Sequence, residues 1–362
     1  MKILYVGSLS ESDSALYRKW ALERLGHVVV PVDINNYQLR PPLLRKVAFR
    51  LVIGPHIQRL NHDLLALAQS EAVDVLWADK VLELQPSTLR ALRRCGVVTA
   101  SYMIDNAFGP RRDPGWRLYM RCLREFDLHI TQRDVSVRDY EARGARNVLK
   151  IQTAYEPTLQ FPPPPSWSDS DRDRGVSFIG TPYDDRAAFL TRLAHEYGLP
   201  VVVNGGLVWQ PALEAVGGLD LYRGHGELFR AEYRETIWKS RINLSFLTRS
   251  NQDEFTHKSF EIAACGGFLL AERSAGHSER FVEDEEAVFF SSFNECADKI
   301  QRYFPDEPAR QRIAAAGLRR ANASGYGNDH QVSLIVDRLK DLLAHPGDPA
   351  TRKPFAEEEK AT

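Results

Sequence analysis

The sequence predicts an α/β chain of two doubly wound, parallel-sheet units, and three observations carry that reading. Short apolar runs of strand length alternate with helical patterns from the first residues onward; the alternation breaks once, at Phe161-Pro162-Pro163-Pro164-Pro165-Ser166; it then restarts and repeats. Parallel strands need crossover connections, usually helices, so this alternation is their signature.

Ile3–Val6 reads as a buried strand, Ala15–Leu25 as a helix and Val28–Val32 as the next strand, so a βαβ unit opens the chain. Strands follow at Val73–Trp77, Val97–Met103, Leu128–Thr131 and Val148–Ile151, with helices at Asn61–Ala72 and Pro86–Arg94. The proline run and the charged stretch Asp169–Arg174 cannot continue a helix or a central strand, which marks a linker. Beyond it come strands at Val176–Ile179, Val201–Asn204 and Ile242–Phe246, with helices at Asp185–Glu196 and Glu227–Lys239. These readings give a Rossmann-like first domain over 1–157, a linker over 158–175 and a Rossmann-like second domain over 176–327, with a cleft between the two. An amphipathic terminal helix over 328–345 and a polar, Pro-interrupted, disordered tail over 346–362 complete the expectation.

Composition narrows the function. At 362 residues with 43% apolar content the chain can bury two ordinary cores. Its formal charge of −1, with both signs mixed, supplies no field that would draw it to nucleic acid. Cys95, Cys122, Cys265 and Cys296 are widely spaced and form no C-x-x-C pair, so they read as reduced core thiols of a cytoplasmic protein rather than zinc ligands. No apolar segment approaches the ~20 residues a spanning helix needs, and the apolar start Met1–Gly7 is too short for a signal peptide.

The chemistry concentrates in Asp253–Leu270, DEFTHKSFEIAACGGFLL. A helix is expected from about Ser259 to Ala264, stopped by Cys265-Gly266-Gly267 so that Phe268-Leu269-Leu270 can start a strand. The helix start then follows Thr256-His257-Lys258, where unpaired backbone N–H groups, a hydroxyl and an ammonium suit phosphate oxygens. Glu261 can accept hydrogen bonds from sugar hydroxyls, and the combination suits a nucleotide sugar. His257 reads either as a donor to phosphate or as a residue whose backbone alone matters.

Asp253 and Glu261, with seven residues between them and Phe255 two after the first, resemble the "Glu, seven residues, Glu" signature of retaining glycosyltransferases with the GT-B fold. The wording from Phe260 to Leu270 is most similar to the CgeB-like, spore-maturation branch. The resemblance implies the GT-B fold, two Rossmann-like domains facing across a cleft with the C-terminal helix crossing back to the first. It places Asp253 at the transferred sugar and Glu261 at the ribose; Asp in place of Glu shortens the first reach by one methylene. At Phe178–Arg186 a Gly ends a strand and a cation follows six residues on. The wider family has Arg directly after this Gly and Lys six after it, both on the donor diphosphate. Gly180 and Arg186 match, whereas Thr181 stands where the Arg would be, and Lys258 is expected to take part of its role. His225 and Gly226 fall in the loop that lines the nucleobase. The same resemblance implies that the departing diphosphate deprotonates the acceptor, so no cofactor and no metal is expected.

Asn204-Gly205 after a strand reads as a turn that lets a ligand approach the backbone, or as plain structure. Gly7-Ser8 closes the first strand, where doubly wound sheets bind ligands, and reads as acceptor side; the G-x-G-x-x-G spacing of a dinucleotide site is absent. Asp105 reads as an acid/base or acceptor-hydroxyl partner, or as a turn-forming Asx residue. Asp79 and Lys80 share that ambiguity, as a solvated ion pair or acceptor-side groups. The basic stretch Arg40–Arg59 reads as a surface helix with its cations in water or as a peripheral membrane contact for an anionic or lipid-linked acceptor. The expected function is transfer of a sugar from a nucleotide-diphosphate sugar to a glycan, small-molecule or protein acceptor. The alternatives are a non-catalytic GT-B binding protein and an inverting transferase or a sugar-nucleotide epimerase of the same architecture. Nucleic acid is not an expected partner.

Overall fold

A computed structural model of the protein describes residues 1–39, 42–109, 114–224 and 226–345, without the side chains of Pro42, Arg45 and Phe49. The expected tail at 346–362 and the residues Arg40 and His225 lie outside the described residues. The chain divides into two units, one of Met1–Gln152 with the segment from Asn328 onward, the other Thr153–Gly327.

In the first unit the chain runs β1 (Lys2–Gly7), α1 (Ser14–Arg24), β2 (Val28–Asp33), α2 (Pro42–Leu51), α3 (Pro55–Ser70), β3 (Val75–Asp79), α4 (Pro86–Arg94), β4 (Val98–Tyr102), α5 (Trp116–Cys122), β5 (Leu128–Thr131), α6 (Asp134–Ala142) and β6 (Val148–Lys150). The six strands pair in parallel in the order β2-β1-β3-β4-β5-β6. The second unit contains β7 (Arg174–Ile179), α7 (Arg186–Tyr197), β8 (Val201–Asn204), α8 (Trp209–Glu214), α9 (Arg230–Lys239), β9 (Ser240–Ser245), α10 (His257–Ala264), β10 (Leu269–Glu272), α11 (Ala275–Ser278), β11 (Val288–Phe290), α12 (Phe293–Tyr303) and α13 (Glu307–Ala323). Its five parallel strands lie in the order β11-β10-β9-β7-β8. The last helix, α14 (Asn328–Ala344), returns to the first unit.

Both sheets are covered on both faces, which is why their strands bury apolar residues on both sides rather than on one. In the first unit Leu4, Val6 and Leu76 pack with Leu60, Leu64 and Leu89 on one face. On the other, Ile3, Tyr5 and Trp77 pack with Leu22 and with Val332, Ile335 and Leu339 of α14. In the second unit Val176, Phe178 and Leu244 meet Leu190, Trp209 and Ile313 on one face, while Leu269, Ala271 and Phe289 meet Ile237, Phe260 and Ala321 on the other. The architecture is two parallel-sheet, Rossmann-like units.

Strand order places a topological switch point in each unit. β1 leads to β2 on one side and its other neighbour is β3; β7 leads to β8 on one side and its other neighbour is β9. Connections leave such a point in opposite directions, opening a crevice outside the carboxyl ends of the two strands where ligands bind. The candidate residues after β1 and β3, and after β7 and β9, stand at these ends.

Two expectations need correction. The run expected as a linker is packed against the second unit: Phe161 and Trp167 both meet the Trp238 ring edge-on at 5.8 Å, and Trp238 Nε1 donates to the Phe161 carbonyl at 3.0 Å. The Arg234 guanidinium lies 4.0 Å over the Phe161 ring and donates to the Leu159 carbonyl at 2.9 Å. Proline bars regular elements, but aromatic anchors can still fasten a non-repeating segment to a helix. The cysteines divide differently from the expectation: Cys122, Cys265 and Cys296 are buried, whereas Cys95 is exposed after α4.

Candidate functional site

In the second unit, α10 is built as the sequence dictates. Phe260, Ile262, Ala263 and Ala264 are buried, and Gly266 closes the helix with a left-handed φ of 65°. The Gly267 N–H reaches back to Ile262 O at 2.9 Å and the Gly266 N–H to Ala263 O at 3.0 Å, the paired bonds of a Schellman ending. The helix begins at His257, two residues earlier than expected, with extended Thr256 as its N-cap and no side chain capping the first turn.

That first turn meets the end of β7. A Cβ added to Gly180 would lie 3.2 Å from Lys258 Cε, so the lysine stem runs over the glycine. Lys258 is half-buried and has no hydrogen bond or ion pair among the described residues. Burial lowers its pKa, with the Arg186 charge adding and Glu261 opposing. Glu261, one turn on along the same face, accepts a 2.6 Å hydrogen bond from the Tyr233 hydroxyl. Burial raises the Glu261 pKa against the lowering effects of Lys258 and Tyr233. The helix thus offers a cation, a first turn with no side-chain cap and a carboxylate with one oxygen held by Tyr233.

The loops around this turn are cross-braced. The Thr248 N–H donates to the Asp253 carboxylate at 3.2 Å, the Leu247 N–H to Glu272 at 2.9 Å and the Arg249 N–H to Asp184 at 3.2 Å. Two of the four non-glycine residues with positive φ described in this unit, Asp184 and Gln252, sit in the connections that follow β7 and β9. Backbone strain of this kind persists where the surroundings hold it, and it gathers at ligand sites.

Arg186 is buried and its donors are engaged. Nη1 reaches Thr181 O at 3.1 Å, and Nη2 reaches Leu247 O and Thr248 Oγ1, each at 3.0 Å. Nε has no hydrogen-bond partner among the described residues. The guanidinium ties the loop after β7 to the loop after β9. Gly205 is explained without a ligand: an added Cβ would stand 2.2 Å from Gly180 O and 2.6 Å from Trp209 Nε1, which itself donates to Gly180 O at 2.6 Å. Asn204 is buried with its Nδ2 unpartnered. Gly226 has a left-handed φ of 80°, and His225 lies outside the described residues.

In the first unit the candidates separate. Asp79 is fully buried in a two-pronged ion pair with Arg18, 2.6 and 2.8 Å, and takes a third bond from the Tyr5 hydroxyl at 2.6 Å. It is neither a solvated partner of Lys80 nor open to a ligand. Lys80 instead pairs with Asp105 at 2.7 Å, and both remain partly exposed. Gly7 is required because an added Cβ would crowd Asp79 at 3.1 Å, while Ser8 donates to Asp13 at 2.5 Å and accepts from Asn35 at 2.8 Å.

Sequence reasoning missed Tyr233, Ser245, Ser259 and His277. Ser259 Oγ is 2.8 Å from His277 Nε2 and 3.0 Å from Ser245 Oγ, which is 3.0 Å from Thr256 Oγ1. Each lies on a different element from its partner, so no local spacing announces the set.

Residues 186–337 match a family model described as "Glycosyl transferase-like". No curated protein matches the chain significantly in sequence. Among solved structures, sucrose-phosphate synthase from Thermosynechococcus elongatus aligns over 95% of this chain and 99% of its own at 13% identity, with a TM-score of 0.67. HepE from Anabaena in complex with UDP-glucose aligns over 94% and 100% at 15% identity, TM-score 0.66. The α,α-trehalose 6-phosphate synthase from Burkholderia multivorans aligns over 95% and 99% at 13% identity, TM-score 0.63. At such identities the likeness is one of fold. The whole chain shares the two-unit fold of these glycosyltransferase structures, and residues 186–337 carry the glycosyl transferase-like match.

Proposed function

We propose that the chain moves a sugar from a nucleotide-diphosphate sugar to an acceptor hydroxyl, with retention of configuration and without a metal. The observation that carries this reading is the first turn of α10: uncapped, beside a half-buried Lys258 with no partner among the described residues, against Gly180 at the switch point between β7 and β9. An anionic diphosphate there gains the backbone amides and relieves the desolvated ammonium. The same charges stabilise the leaving diphosphate as the glycosidic bond breaks, which is catalysis by prearranged electrostatics. Glu261 has one oxygen left for a ribose hydroxyl, and Asp253 is the carboxylate for the sugar. Arg186 acts in this reading by holding the two loops in place. The Anabaena relative's complex with UDP-glucose favours a nucleotide sugar as donor.

Purified protein incubated with nucleotide sugars and acceptors, with and without chelator, tests the proposal through release of nucleoside diphosphate. Turnover that survives chelation and falls about ten- to a thousandfold in Lys258→Ala supports it. Donor binding without turnover on any acceptor points to a non-catalytic protein, and loss of turnover on chelation overturns the metal-free part.

A second surface supports a lipid-linked acceptor. On α2, Leu43, Leu44, Val47 and Leu51 are exposed along one stripe, flanked by Lys46 and Arg50. Beside it lies a cavity of about 330 Å³ lined by Leu39, Ala48, Val52, His56 and Ile57. We infer peripheral docking of this face on anionic lipid; no described helix is long and apolar enough to cross a membrane. Co-sedimentation with phosphatidylglycerol vesicles, lost in Leu43→Glu/Val47→Glu, checks it, and equal sedimentation of variant and wild type rejects it.

A further inference from the structure

A buried hydroxyl chain under α10 decides what Thr256 can offer a ligand. His277 is fully buried and stacked at 5.7 Å on Phe289. Its Nδ1 stands 2.8 Å from the Glu272 carbonyl oxygen and its Nε2 2.8 Å from Ser259 Oγ. A carbonyl only accepts, so Nδ1 carries the proton. Burial holds the ring at about 4, hence neutral, and Nε2 is a bare acceptor. Ser259 must therefore donate to it.

The rest follows by counting protons. Ser259 has spent its only proton, so toward Ser245 Oγ, 3.0 Å away, it can only accept, and Ser245 donates. Ser245 is then an acceptor toward Thr256 Oγ1, 3.0 Å away, and Thr256 turns its proton inward. The longer Thr256–Ser259 approach of 3.4 Å adds no donor. Satisfying both 3.0 Å contacts admits no other order. Thr256 makes no side-chain bond to the helix amides, so its oxygen keeps lone pairs, and no proton, for anything bound at the helix start.

We propose that Thr256 recognises the donor as a hydrogen-bond acceptor, taking the proton of a hydroxyl on the transferred sugar, and that His277 enforces this polarity through Ser259 and Ser245. This rests on the donor-site reading above and divides its labour: Thr256 and Asp253 accept from sugar hydroxyls, while Lys258 and the first-turn amides hold the phosphates. It reverses the sequence expectation that the Thr256 hydroxyl serves phosphate.

Calorimetry with UDP and UDP-glucose, then the matched ADP and GDP pairs, tests the assignment. Thr256→Val is expected to weaken binding of the nucleotide sugar about three- to tenfold while the diphosphate changes less than about twofold. Thr256→Ser restores the loss. His277→Phe reproduces the sugar-specific loss, and the double variant loses no more than either single one, which a merely structural role would not give. Ser245→Ala, of the same sign, serves if His277→Phe does not fold. Equal loss of diphosphate and nucleotide sugar in Thr256→Val overturns the proposal. A wild type that binds no pair removes the donor-site reading and the ligand role with it. The proton order has its own readout without ligand: ¹⁵N shifts of His277 should show an Nδ1–H tautomer unprotonated from about pH 8 to about pH 5.5. An Nε2–H tautomer, or titration near the free-histidine value, overturns the chain.

Discussion

At the residue scale, the site depends on which side chains keep unspent hydrogen-bonding capacity. Glu261 and Lys258 share one face of α10, and each is pushed toward its neutral form by burial and back toward charge by the other. Glu261→Ala and Lys258→Ala should each weaken donor binding about ten- to a hundredfold, since each removes a charge-assisted contact worth about 1.5–3 kcal/mol. Circular dichroism and a melt check that both variants fold, and donor affinity unchanged in either removes that residue from the site. Tyr233→Phe deletes the 2.6 Å bond to Glu261 and should cost about two- to tenfold in the same titration. That Glu261 and Lys258 share one helix turn was legible because they lie in one local motif; the Tyr233 bond to Glu261 was not, because the two are 28 positions apart. Arg186 shows the opposite failure. Its spacing from Gly180 matched a phosphate-binding pattern, yet the fold engages its Nη donors with the loops after β7 and β9.

Among elements, the strands and long helices were readable because burial on both faces writes continuous apolar runs. Leu128–Thr131 and Val201–Asn204 have the expected bounds. The proline run was misread because composition records what a segment cannot form and is silent on what it can pack against. Its fastening to α9 makes a prediction. Trp238→Ala removes the ring shared by Phe161 and Trp167 and the bond to the Phe161 carbonyl, so it should destabilise the second unit by about 3–5 kcal/mol. Limited proteolysis should then open near Phe161. Urea unfolding with a midpoint and cleavage pattern equal to wild type would show the strap contributes nothing. Gly205→Ala tests the β7 and β8 ends in the same way, because the new methyl meets the Gly180 carbonyl with no room to move. Loss of stability together with donor affinity is expected; an unchanged melt would contradict the close approach.

At the scale of the whole molecule, each unit buries a neutral histidine under its sheet helices, and this sets how stability depends on pH. His129 gives its Nε2 proton to the Leu123 carbonyl at 2.8 Å and stacks on Tyr140 at 4.5 Å in the first unit; His277 is its counterpart in the second. Burial lowers both from 6.5 to about 4. A histidine whose folded pKa is depressed takes its proton first in the unfolded chain. Between these two values the unfolded state therefore holds more protons than the folded one, and stability present above pH 6.5 is lost as pH falls toward 4. Each ring should cost about 2 kcal/mol between pH 7 and pH 5, an amount visible as a lower guanidinium midpoint. Paired carboxylates lose their contribution at more acid pH, so the decline above pH 5 belongs mainly to the imidazoles. His129→Phe keeps an aromatic ring against Tyr140 and has nothing to protonate. Whatever it does to absolute stability, the drop from pH 7 to pH 5 should shrink by about half. Denaturation curves at pH 7, 6 and 5 for both proteins decide the matter, and a drop of equal size in wild type and variant would show that His129 is protonated in the folded state as readily as in the unfolded one.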